Sequence, residues 1–247
     1  MRDKLKTALE RILSVLFWLA IWEIAALVID NDFLLPDIID TGAAILNIFS
    51  NKDFGIVILY TAFRVIIGLL IGIILGVILG FLAYKFKFFK LLIEPFMIVV
   101  KSTPIASFII LLWLLFTGNQ LAIIITVLMV FPIITENVIA GLNSQSEELL
   151  TVAKVFKFSP AKTLLVVTVP TVINYLVPAI ITSVGLAWKA EVAAEIIGYV
   201  SSSVGQEIND AKSVFDTPTV FGWTVIIILF SLILDFCTKR LFRRIEK

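Results

Sequence analysis

Residues 56–82 read IVILYTAFRVIIGLLIGIILGVILGFL, a 27-residue run with one charge, Arg64. Four glycines stand in it at a constant spacing of four: Gly68, Gly72, Gly76 and Gly80. That spacing clears one face of a helix and lets a neighbouring helix approach closely. Glycine costs about 1 kcal/mol relative to alanine in a water-exposed helix. Four of them on one stripe therefore belong in a membrane helix that is held by its packing. General glycine enrichment of membrane helices is the blander account of the same residues.

The rest of the chain agrees. Of 247 residues, 60% are hydrophobic, and the net charge is +1. The mean hydropathy is +1.07. A soluble domain is nearer 45–50% apolar, so an all-α integral membrane bundle is the expected fold. The near-zero net charge gives no field that suggests nucleic acid. There is no histidine, and Cys237 is the one cysteine. This removes internal disulfides, His/Cys metal sites and His-based catalytic dyads or triads.

A span needs about 20 apolar residues. Six are expected in a single domain covering 1–247, at about 12–29, 56–82, 91–116, 121–142, 172–198 and 220–236. The first follows a basic start (Arg2, Lys4, Lys6, Arg11) and lacks a small-residue cleavage site, so it is read as a retained span. Basic residues recur in every second connection: Lys85, Lys87 and Lys90; Lys154, Lys157 and Lys162; and Lys239, Arg240, Arg243 and Arg244. The alternate connections are acidic or nearly uncharged, with Asp30, Asp32, Asp37, Asp40 and Asp53 in the first. Both termini are therefore expected on the cytoplasmic side.

Two connections carry structure of their own. Residues 36–50 suit a short helix at the membrane interface, with Ile38, Ile39, Ala43, Ile45, Leu46 and Ile48. The cytosolic loop 144–170 opens with Glu147 and Glu148 and mixes lysines with Leu149, Val152, Ala153, Phe156 and Phe158. That is an amphipathic helix, and Ser159-Pro160 marks a fresh helix start. Its apolar face suits a partner protein, the chain's own bundle or the membrane surface.

At this loop the sequence resembles the inner-membrane permeases of binding-protein-dependent ABC importers, and most of all their nitrate/sulfonate/taurine branch. The family's EAA loop reads Glu-Ala-Ala, three residues, Gly, nine residues, Ile-x-Leu-Pro. The corresponding register here is Thr151-Val152-Ala153, then Lys157, then Val167-Thr168-Val169-Pro170. Ala153 and Pro170 match strictly. Thr151 replaces the motif acid, although Glu148-Leu149-Leu150 stands just upstream. Lys157 replaces a glycine whose usual task is a tight turn, which a lysine strains.

Other stretches resemble the branch in order. They are Trp22-Glu23, Leu35-Pro36, Arg64 with the glycine ladder, Glu94-Pro95, Lys101-Ser102-Thr103-Pro104, Phe131-Pro132, Ala194-Glu195-Ile196-Ile197-Gly198, Ser203-Val204-Gly205, Phe215-Asp216-Thr217 and Asp235.

The resemblance implies a type I importer permease: six transmembrane helices and a cytosolic coupling helix. It implies two such subunits, homodimeric by family analogy, around a path for a small polar solute. Two cytosolic ATPase subunits would take the coupling helix, here about 147–157, and an extracytoplasmic solute-binding protein would deliver the solute. ATP and magnesium would sit on the ATPase. This chain has no Gly-x-x-x-x-Gly-Lys-Ser/Thr loop of its own.

The charges inside the spans are the candidate path or gate residues: Arg64, Lys101, Glu136, Lys189, Glu191 and Glu195, with Pro104 and Pro132 as expected kinks. A charge at mid-bilayer costs about 2.5–3.5 kcal/mol on insertion scales. Such groups line a cavity, pair, or snorkel. Arg64 lies near the outer end of its span, where snorkelling is an option. Glu191 and Glu195 share a helix face and need a partner cation or a proton. Glu136 is one partner for Lys189, and Lys101 one for Glu191 or Glu195; the spacing leaves these pairings open. The resemblance singles out Glu195 through Ala-Glu-x-x-Gly. Trp22, Trp113, Trp188 and Trp223, with Tyr60, Tyr84 and Tyr199, fall near span ends and suit interfacial anchoring.

Two other function classes have sequence requirements of their own. A secondary transporter would couple through Glu136, Glu191 or Glu195, and duplicated halves would favour it; spans 4–6 have no second glycine ladder. A membrane enzyme would need a motif such as His-Glu-x-x-His or Gly-x-Ser-x-Gly, and neither is present.

Overall fold

The computed structural model describes residues 2–242, with the side chains of all but 2–5, 7 and 8. The basic side chains of Arg2 and Lys4, and Arg243 and Arg244, lie outside the described residues. In chain order the elements are α1 (Arg2–Ile29), α2 (Ile38–Ser50), α3 (Phe54–Lys85), α4 (Lys87–Ser102), α5 (Ile105–Trp113), α6 (Asn119–Asn143), α7 (Glu147–Val155), α8 (Pro160–Thr163), a π-helical turn (Leu164–Thr168), α9 (Val169–Ile197), α10 (Val204–Ser213) and α11 (Thr217–Phe242). No strand occurs among the described residues.

Five stretches are long and apolar enough to cross a membrane: Leu9–Ile29, Phe54–Lys85, Asn119–Asn143, Pro160–Ile197 and Thr217–Phe242. The expected third span, 91–116, is not one straight helix. It is split into α4 and α5, which meet at 104°. Pro104 is the reason. It caps the start of α5 with extended backbone (ψ 134°), and Thr103, which ends α4, is extended too (ψ 131°), because a residue preceding proline is pushed out of the helical region. Pro132, by contrast, sits buried inside an unbroken α6.

The centre of the bundle is the α3–α6 seam. Gly68 faces Thr126, Gly72 faces Val130, Gly76 faces Ile134 and Gly80 faces Val138. Both helices advance by four residues per contact, so the β-branched knobs of α6 drop into the glycine groove of α3. A methyl group on any of the four glycines would lie 2.6–2.8 Å from the Cβ of its partner. Helix α9 packs against both α6 and α3. Trp188, only 1% exposed, faces α11, where it donates to the carbonyl of Ile227 at 3.2 Å and stacks on Phe230. Trp223 is also in the core, stacked on Phe54. Neither tryptophan is the interfacial anchor expected of it. Both fill space between helices at a depth that span-end counting does not register.

Helix α2 forms where the amphipathic pattern placed it, capped by Asp37 on the amide of Asp40. It is clamped to its neighbours rather than lying free. The indole of Trp22 donates to the carbonyl of Pro36 at 3.0 Å, and the amide of Ile38 donates to Glu23 at 3.1 Å. Ile45 and Ile48 pack over Gly222 of α11. Helix α10 lies in the connection 199–219, which stands out in the sequence only for its scarcity of basic residues.

Candidate functional site

Three groups of residues gather the charges and the exposed apolar surface. The first is a buried hub. Arg64 is 3% exposed, and Glu191 and Glu195 are 0% exposed. Arg64 lies four residues before Gly68, on the packing face of α3, so its side chain enters the bundle instead of reaching for the membrane surface. Nη2 is 2.6 Å and Nε 3.1 Å from Oε1 of Glu195. Nε is also 3.3 Å from Oε1 of Glu191. Nη1 donates to Asn119 at 3.0 Å, and Nη2 to the carbonyl of Ser202 at 3.3 Å.

The acids are held from their other sides. Thr126 donates to Glu191 Oε2 at 2.5 Å. The amide of Gly205 donates to Glu195 Oε2 at 3.2 Å. Thr61, buried beside Arg64, accepts the amide of Val204 at 3.2 Å. One guanidinium fork thus ties α3, α6, α9 and the start of α10 together. Gly205 is required there: a Cβ would run into the Glu195 side chain and backbone. The partner cation needed by the Glu191–Glu195 face is therefore Arg64, not Lys101. Thr61, Thr126 and Asn119 were missed by sequence reading. For Thr61 a signal was available: Arg64 continues the glycine register by four, and Thr61 lies three residues before it on the same helix face.

The second group is exposed. Lys101 at the end of α4 pairs with Glu136 of α6 at 2.6 Å, both side chains 49% exposed. Glu136 also lines a cavity of about 330 Å³, with Lys90, Glu94, Met97 and Asn143 among others. Lys189 is exposed on α9 and pairs with neither Glu136 nor any other acid among the described residues.

The third group is α7. Ser146 caps it by accepting the amide of Leu149. Ala153 is buried against the bundle, while Leu149 (52% exposed), Val152 (48%) and Phe156 (70%) point outward. Glu148 and Lys157 are exposed beside them. The helix stops at Lys157, whose φ is +50°. The amide of Phe158 bonds the carbonyl of Ala153 at 2.9 Å and that of Lys157 the carbonyl of Lys154 at 3.0 Å. This is the left-handed helix stop that glycine usually supplies. The turn survives the substitution and carries a lysine in strained backbone. Tyr199 after α9 and Phe215 after α10 use the same device, with φ of +50° and +57°.

Outside the spans, Glu207 of α10 is the titrating group that stands out. Partial burial, then the neighbouring Asp210 and Asp53, raise its carboxyl above the ordinary range.

Comparison with known proteins fits this architecture. A crystal structure of an amino acid ABC transporter with histidines superposes with a TM-score of 0.63 at 16% identity, over 75% of this chain and 91% of that one. It shows the fold. The nitrate import permease protein NrtB of Synechococcus elongatus is 30% identical over 225 residues, which is 84% of this chain and 78% of NrtB. An aliphatic sulfonates transport permease protein, SsuC of Bacillus subtilis, is 27% identical over 187 residues, 75% of this chain and 67% of SsuC. The secondary-transporter reading finds no support in these relatives. The family model for the binding-protein-dependent transport system inner membrane component matches residues 68–247. The chain belongs to that family: it is a multi-pass permease component of an ATP-driven, binding-protein-dependent importer.

Proposed function

We propose that two copies of this chain form the translocation unit, with the basic end of the bundle and both termini in the cytoplasm. A cytosolic ATPase dimer docks on α7 of each copy and holds the ATP and magnesium. An extracytoplasmic binding protein docks at the acidic end and delivers a small anion of the nitrate or sulfonate type, the solutes named for the two permease relatives. Alternating access follows from rigid-body rotation of the two bundles as the ATPase closes.

The observation that carries this reading is the outward apolar face of α7. Leu149, Val152 and Phe156 stand on a charged helix at the basic end, beyond the spans, and find no cover among the described residues. An apolar face of this kind on a rigidly capped helix fits a protein groove. Gentle detergent purification of the tagged chain from its host, with mass spectrometry of the co-purifying proteins, tests it. A stoichiometric nucleotide-binding ATPase is expected. Its absence, together with transport in vesicles lacking ATP, overturns the reading.

A further inference from the structure

Helix α9 has two faces of opposite character. Trp188, Ala190, Glu191, Ala194 and Glu195 are buried in the bundle. The other face carries Asn174, Pro178, Thr182, Gly185 and Lys189, at spacings that keep them on one stripe. Asn174, Pro178, Thr182 and Lys189 are exposed. Gly185 has nothing within 4 Å of where its Cβ would be.

The stripe is unlike a lipid-facing surface. The exposed face of α3 offers the contrast: Phe63, Ile66, Leu70, Ile74 and Ile78 are apolar throughout. Lys189 is eight residues, about 12 Å, inside the Ile197 end of α9. It has no ion-pair partner among the described residues. The exposed Lys101–Glu136 pair lies on the same level as the inner part of the stripe. Gly141 of α6 packs against Val172 and Thr126 bonds Glu191, so the antiparallel register brings Glu136 level with the region of Pro178. A solvated cation and a row of polar groups at this depth belong beside water, not hydrocarbon.

We propose that this stripe of α9 is a wall of the solute path and that Lys189 is its anion-contacting group. The inference rests on the importer reading and sorts the charged residues within it. Arg64, Glu191 and Glu195 lie on the opposite, buried side and hold the bundle together; they do not meet solute. A lone ammonium with the neutral amide donor of Asn174 attracts a small oxyanion and repels cations; the Thr182 hydroxyl donates to the Pro178 carbonyl at 3.0 Å and adds only acceptor character. The weak, single-point hold of the ammonium lets the ion leave again, as a conduction site requires.

The test uses the assembled transporter in membrane vesicles, with Cys237→Ser as background and one new cysteine at a time. Asn174→Cys, Thr182→Cys and Lys189→Cys are compared with Ile74→Cys on the apolar face of α3. The probe is an anionic, membrane-impermeant methanethiosulfonate. A thiol surrounded by hydrocarbon does not ionise and reacts poorly. The three stripe positions are expected to react about tenfold faster than Ile74→Cys or more. Equal rates would place the stripe in lipid or in a dry contact and overturn the proposal.

Kinetics give a second readout. Lys189→Gln is expected to raise the KM for anion import about tenfold, the loss of one modest charged contact, and Lys189→Arg to restore it. An unchanged KM in Lys189→Gln removes the contact role. Labelling needs no ATPase, so failure of the importer reading appears separately, in the purification.

Discussion

The guanidinium of Arg64 and the carboxylate of Glu195 meet at 2.6 Å although 131 residues separate them in the chain. This contact closes the bundle. It joins the second span to the fifth at a point where neither group reaches water. Breaking a buried pair by removing one partner costs about 3–5 kcal/mol, because the other charge is left unpaired. Arg64→Met and Glu195→Leu singly are each expected to lower the thermal stability of the detergent-purified protein sharply. The triple variant Arg64→Met/Glu191→Leu/Glu195→Leu, which removes all the charges, is expected to be more stable than Arg64→Met alone. Thermal unfolding monitored by size-exclusion recovery checks this. A triple variant as unstable as Arg64→Met would show that stability comes from the hydrogen bonds to Asn119, Thr126 and Gly205 rather than from charge balance.

The glycine seam makes a prediction that depends on which atom is in the way. At Gly72 the obstacle to a methyl group is Cβ of Val130 itself, at 2.7 Å. Gly72→Ala is therefore expected to destabilise by about 1–3 kcal/mol, as overpacking does. Val130→Ala keeps that Cβ and does not relieve the clash. The exchange Gly72→Ala/Val130→Gly does relieve it and is expected to recover most of the loss. Recovery with Val130→Ala would mean that the helices part easily and that the seam is looser than its geometry.

The spans and the glycine ladder were legible because hydrophobic length and a fixed spacing survive any tertiary arrangement. The cytosolic helix was legible for the same reason, through its charged and apolar faces. The pairing of the charges was not legible. Lys101 finds Glu136 because α4 packs against α6, and Arg64 finds the two glutamates because α3 and α9 meet directly beside α6. Helix order in space is not written in any local pattern. Helix α10 was hidden too. Its ten residues include Gln206, Glu207, Asn209, Asp210 and Lys212 and read as a polar loop, although Ser203 caps it on the amide of Gln206.

Docking of the ATPase is expected to depend on the outward side chains of α7. Leu149→Ser, Val152→Ser and Phe156→Ser combined should release the ATPase in pull-down from detergent while leaving membrane insertion and thermal stability unchanged, since these residues cover nothing in the bundle. Retention of the ATPase by the triple variant would remove α7 from the interface.

Glu207 gives a pH dependence. Its folded-state carboxyl is raised, first by burial and then by Asp210 and Asp53. The sign follows: the folded protein favours the neutral acid, so ionisation destabilises it as pH rises from the ordinary carboxylate range into the raised one. Glu207→Gln is expected to be more stable than the parent at neutral pH and equal to it below about pH 4. A constant difference at both pH values would point to lost hydrogen bonding instead.

Lys157 is one of five non-glycine residues at positive φ among the described residues. A left-handed backbone costs a residue with a Cβ about 1–2 kcal/mol, and Lys157 stands at φ +50° in a turn whose two carbonyl bonds close α7. Lys157→Gly removes that cost without touching a packed side chain, because the lysine is exposed. Its backbone freedom in the unfolded loop offsets part of the gain. The net expectation is a modest increase in protection of the Phe158 amide, which bonds Ala153 across the turn. Hydrogen exchange by mass spectrometry over residues 146–160 checks it. Lys157→Ala keeps the Cβ and loses only the charge, so it should leave exchange as it is. If Lys157→Ala slowed exchange as much as Lys157→Gly, the lysine's charge near the helix end, not its backbone, would be the source of the strain.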